Sequence, residues 1–95
     1  MKKTFSLTAP GKDDARVRDK IRHELNKYVR RERRKPLPEG SKRWDFDCRI
    51  GREAATAESR PLEEIGSTID TLAAEGATTA YIEILARPKV RTPAP

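Results

Sequence analysis

One α+β domain, with two helices packed on one face of an antiparallel sheet, is what this sequence predicts, and three observations predict it. Apolar residues fall into separated clusters that alternate in some segments and recur at three- and four-residue spacing in others. The clusters run strand, helix, strand, short strand, helix, strand, the split βαβ order called ferredoxin-like. A chain of 95 residues has room for one modest core and no second domain.

The first segment, KKTFSL at 2–7, puts Phe5 and Leu7 on one side and Thr4 and Ser6 on the other, as a half-buried strand does. APGKDD breaks it, and Asp13 or Asp14 caps a helix whose Val17, Ile21, Leu25, Tyr28 and Val29 span an arc of about 120°. That helix ends near Arg34, because Pro36 biases Lys35 out of the α region and KPLPEGSK is a loop. RWDFDCRIG then alternates: Trp44, Phe46, Cys48 and Ile50 share one face, Asp45, Asp47 and Arg49 the other.

The alanines of REAATAES suit a helical turn and its position after Gly51 suits the return arm of a hairpin; a short strand over 53–58 is the favoured expectation. If that arm is not a strand, the fallback is a three-stranded βαβαβ sheet. RPLEEIGSTIDTLAAEG is a second amphipathic helix, with Pro61 in its first turn, a stripe of Leu62, Ile65, Ile69, Leu72 and Ala73, and a stop at Gly76. TTAYIEILARP is the last strand, with Ala80, Ile82, Ile84 and Ala86 on its core face. Residues 1–88 therefore form the domain. The tail KVRTPAP, 89–95, has nothing to pack on and is expected to be disordered.

Four segments, KKTFSL, RERRKPLPEG at 31–40, WDFDCR at 44–49 and YIEILARP at 81–88, carry a resemblance over most of the chain. It resembles a family of small bacterial proteins of unknown function. The resemblance implies a bacterial source and says nothing of mechanism.

Charge is divided unevenly. Residues 1–43 hold 15 Lys and Arg against 6 Asp and Glu, net +9, whereas residues 44–95 hold 6 against 9, net −3. Such a division points to an anionic partner, or to two halves that attract each other. A helix over 13–34 is about 33 Å long and a strand of seven or eight residues about 25 Å, so the helix is expected to outrun the sheet at its basic end. Arg30, Arg31, Arg33, Arg34 and Lys35, with Lys42 and Arg43 beyond the loop, then form a basic prong. Arg16, Lys20 and Lys27 extend it along the solvent side.

Phosphate contact suits that cluster, since guanidinium forks match phosphate oxygens and each neutralised phosphate releases a counterion. The competing reading is a solvated helix end whose cations answer the helix dipole. Two cations would satisfy the dipole, and Arg30 and Arg34 repel at i,i+4. The open sheet face offers Tyr81 alone as a stacking residue, which disfavours base readout and leaves the backbone. Trp44 shares parity with Phe46 and Ile50 and belongs to the core or its edge.

Other residues carry weaker chemistry. Asp45 and Asp47, with Glu83, could hold a divalent metal. Arg49 and Arg87 lie on the same parity, and an ordinary cross-strand charge ladder explains the group. His23 beside Asp19 reads as a surface contact, and Cys48 as a small core hydrophobe. No glycine-rich phosphate loop, cysteine–histidine metal spacing or serine elbow occurs.

The expectation is thus a non-enzymatic protein, without cofactor or metal, that binds RNA or DNA backbone with low sequence specificity. The alternative is a protein-interaction or homodimerisation module using the open sheet face, and behind it a metal-dependent enzyme using Asp45 and Asp47. One cysteine makes no internal disulfide, and the run FSL after Lys2 and Lys3 is too short for a signal h-region or a membrane span. A cytoplasmic location without membrane association is expected.

Overall fold

The computed structural model describes residues 1–90, in the order β1 (Lys2–Ser6), α1 (Asp14–Arg33), β2 (Ser41–Gly51), β3 (Glu58–Ser59), α2 (Leu62–Ala74) and β4 (Thr79–Val90). The strands form one sheet in spatial order β1-β4-β2-β3, and every neighbouring pair is antiparallel. β1 and β2 are therefore parallel with β4 between them, and β3 and β4 are parallel with β2 between them. The fold is α+β, two helices with a four-stranded antiparallel sheet, and its element order fits the ferredoxin-like class.

The helical stripes do the packing that their spacing implies. Ile21, Leu25 and Val29 of α1 and Ile65 and Ile69 of α2 are buried against Phe5, Leu7, Cys48, Ile50, Ala80, Ile82 and Ile84. Val17, Tyr28, Phe46 and Leu72 close the margins of this core. Asp13 caps α1 by accepting from the Ala15 N–H at 3.2 Å. The helices are also tied by charge: Asp70 of α2 accepts from Arg18 at 3.0 Å and Arg22 at 2.9 Å.

The hairpin arm differs from expectation. Ala54–Thr56 is a 3₁₀ turn, and only Glu58 and Ser59 pair with β2, opposite Ile50 and Arg49. That pairing is enough to rule out the three-stranded fallback. The arm is short because the chain folds tightly over Gly51, where a Cβ would lie 2.8 Å from the Ala57 Cα.

The central strands are longer than the sequence suggested, and this reverses the relation between helix and sheet. β2 has 11 residues and β4 has 12, so β2 spans about 36 Å against about 30 Å for the 20-residue α1. The helix does not outrun the sheet. Its end lies over β2, where the Trp44 Nε1–H donates to the Lys35 carbonyl at 2.9 Å.

Lys89 and Val90, assigned to the tail by sequence, are strand residues opposite Arg43 and Ser41. Pro88 does not stop β4, for a reason of direction. The Ile84 N–H donates to the Met1 carbonyl at 2.8 Å, so at a period of two Pro88 turns its missing donor to the same side. β1 has ended there, since it faces only 79–83 as a strand, and no hydrogen bond is lost. The rest of the expected tail, 91–95, lies outside the described residues.

Candidate nucleic-acid interface

Twenty helical residues at 100° each place Arg16, Lys20, Lys27, Arg30 and Arg34 on the side of α1 opposite Leu25. All five are exposed. The row from Arg16 to Arg34 is about 27 Å long at 1.5 Å per residue. The acids of the same helix beyond its first turn are engaged elsewhere: Asp19 with Arg22 at 2.7 Å, Glu24 with Lys3 at 3.3 Å, and Glu32 with Lys35 at 2.5 Å. No ion pair among the described residues involves Arg16, Lys20, Lys27, Arg30, Arg31, Arg33 or Arg34.

Two arginines flank the row rather than join it. The Arg31 guanidinium lies over the Tyr28 ring and that of Arg33 over the Phe46 ring, each 5.4 Å from the centroid. Such contacts fix the charge on a side chain that would otherwise sample many rotamers. Arg34 is the residue that closes α1, its N–H directed at the Arg31 and Glu32 carbonyls. The basic last turn is also where the negative end of the helix dipole favours cations.

Glu32 is buried although it stands among arginines in the sequence. It is 8% exposed on the core side of the helix, and the steps Leu25, Val29, Glu32 continue the apolar stripe at i+4 and i+3, the signal that could have found it. The hydrogen bond with Lys35 holds its carboxyl below the usual range, assisted by Tyr28 and opposed by burial. Lys35 is therefore partly neutralised, while the outward row is not.

Lys42 and Arg43 are not delivered together. The register steps from Ser41↔Val90 to Arg43↔Lys89, leaving Lys42 as the extra residue of a bulge, exposed at the end of the β2–β4 ribbon. Arg43 pairs with Asp45 at 3.4 Å on the open face, on the other side of the sheet from α1. It does not extend the helical cluster.

The open face carries a charge ladder. Arg49 pairs with the buried Glu83 at 3.1 Å and Arg87 with Asp47 at 2.7 Å. Asp45 and Asp47 are thus each spoken for by an arginine, and among the described residues no group of three or more His, Cys, Asp or Glu is placed to hold a metal. Tyr81 is the aromatic residue of this face, half-buried beside Glu83, and Leu85 is exposed. Trp44 lies on the helix side.

Cys48 lies in the core, and His23 on the surface forms no ion pair with Asp19. The Cys48 thiol is 4% exposed, and burial pushes its pKa up to about 11, with Asp47 and Glu63 adding to the shift. His23 is exposed, and the Asp19 carboxylate that would orient it is bound by Arg22. No described helix is long and apolar enough to cross a membrane.

The model of one family, described as "Family of unknown function (DUF6172)", matches residues 1–94. No curated protein and no solved structure matches the chain.

Proposed function

The chain belongs to that family of unknown function, and on this premise we propose that it is a non-enzymatic binder of nucleic-acid backbone, RNA or DNA, that contacts phosphates through the outward face of α1. One observation carries the reading: the row Arg16, Lys20, Lys27, Arg30 and Arg34 is exposed and unpaired, while the helix's own Asp19, Glu24 and Glu32 are bound to other cations. A face meant only for solvation gains by interleaving its acids with its bases, and here the two are separated. Arg31 and Arg33 border the row. The scarcity of aromatic residues on the open sheet face supports backbone contact over base stacking.

A salt titration by fluorescence anisotropy, on duplex and on single-stranded RNA, tests this. With about five phosphates engaged, log affinity falls with log salt at a slope of about −4 to −5 on duplex and roughly −3 to −4 on single strands. The double variant Arg30→Glu, Arg34→Glu lowers affinity at least tenfold at low salt and keeps the cooperative unfolding transition, with a small drop in midpoint from placing acids at the negative end of the helix dipole. Arg33 stays in place because it packs on Phe46. Absence of binding by the wild type at low salt, or equal binding by the variant, overturns the reading.

A further inference from the structure

β1 is an edge strand, and its free edge opens on a groove of about 960 Å³ between itself and α1. The direction of its backbone groups follows from two bonds. The Leu7 N–H donates to the Thr78 carbonyl and the Met1 carbonyl accepts from Ile84, both at 2.8 Å, so odd residues face β4. Lys2, Thr4 and Ser6 therefore turn their N–H and C=O groups away from the sheet, toward the groove side. A row of unmet donors and acceptors at strand spacing is a template for an added strand.

The groove's side chains say what that strand carries. Its floor is Phe5, Val17 and Ile21, of which Phe5 and Ile21 are nearly covered already. Its rim holds Lys3, Lys12, Arg16, Lys20 and Lys27. The acids on the rim are committed: Asp13 caps α1 and Glu24 is bound by Lys3. A second copy of this chain pairing edge to edge would bring two such rims together, and their like charge opposes it.

We infer that the groove between β1 and α1 takes an extended acidic peptide, which adds to the sheet as a fifth strand beside β1 and directs its carboxylates at the α1 lysines and Arg16. Main-chain bonds to Lys2, Thr4 and Ser6 supply the pairing, and the cationic rim selects the partner's sign. This surface shares Arg16, Lys20 and Lys27 with the proposed phosphate row and differs from it in what it adds. It depends on the β1 backbone, which phosphate binding does not use.

A blocked peptide of alternating glutamate and valine, long enough to pair all of β1, is the probe. Titrated into the protein, it slows hydrogen exchange at the Lys2, Thr4 and Ser6 amides at least tenfold and leaves those of Lys3 and Phe5 unchanged. Thr4→Pro removes an outward N–H that the native sheet does not use, and it abolishes peptide binding while duplex binding persists. Lys20→Glu with Lys27→Glu, two exposed helix positions, weakens the peptide at least tenfold and keeps the fold testable should the proline variant not fold. Arg30→Glu with Arg34→Glu leaves peptide binding intact, so failure here is distinguishable from failure of the phosphate reading. Unprotected β1 amides at saturation, undiminished binding by Thr4→Pro, or the same protection pattern produced by an oligothymidine of similar length overturns the inference.

Discussion

The Trp44 indole donates to the Lys35 carbonyl at 2.9 Å, joining β2 to the residue just after the C-cap of α1. Lys35 is the position at which Pro36 turns the chain out of the helix, and its carbonyl has no place in the helical ladder. The indole meets that carbonyl and holds the basic end of α1 to the sheet. Trp44→Phe keeps the ring and loses the donor. It lowers stability by about 1 kcal/mol and speeds amide exchange at 33–35 while leaving that of Leu25 unchanged; equal protection at 33–35 contradicts this account.

Gly51 is required by contact rather than by an unusual φ. A methyl group there meets the Ala57 and Thr56 backbone at 2.8 to 3.0 Å, and backbone cannot rotate aside as a side chain does. Gly51→Ala costs about 1–3 kcal/mol in urea denaturation. Because Ala57 also accepts from Arg49 through its carbonyl, the variant shifts the Arg49 and Glu58 resonances first.

Asp70 gives acid stability its sign. The hydrogen bond from Arg22 holds its carboxyl below the usual range, with Arg18 adding to the effect and burial opposing it. A depressed folded pKa contributes stability above the unfolded value, about 3.9, and loses it as pH falls through the lower folded value. Asp70→Asn is thus less stable than the wild type at neutral pH, and the difference closes below about pH 4. A constant difference across that range removes the ion pair from the account.

Cys48 reports the opposite limb. Its folded thiol ionises at about 11, whereas an unfolded thiol does so at about 8.5. Stability that is fully present below the unfolded value declines as pH rises through the window up to the folded one. Cys48→Ala flattens that decline. In the native protein the thiol resists iodoacetamide at about pH 8 and reacts once urea unfolds the chain.

The helices were legible from sequence because their stripes are periodic over roughly three to four turns; Val17, Ile21, Leu25, Ile65 and Ile69 face the core as spacing dictated. The ladder of Asp47, Arg49, Glu83 and Arg87 was legible from parity. The length of β4 was not, since a proline normally ends a ladder and only the early stop of β1 makes Pro88 harmless. Reading β2 and β4 as short then made α1 seem to overhang, and placed Arg43 with a helix end that it does not face. The burial of Glu32 was not legible for a related reason. A lone acid among arginines looks solvated until the core is seen to continue beneath it.

The position of β4 in the sheet sets a temporal order for folding. It is the strand that β1 and β2 both require, and it is synthesised last of the six elements. At ordinary translation rates the 73 positions between Ser6 and Thr79 in the chain take roughly 4 to 15 seconds to add. Until then β1 has no strand to pair with, and the stripes of α1 and α2 have only the short β2–β3 pairing to cover. Folding is therefore late and governed by a long-range closure, which makes it slow. Through that interval Lys2 and Lys3 keep a bare strand from pairing with a neighbouring nascent chain.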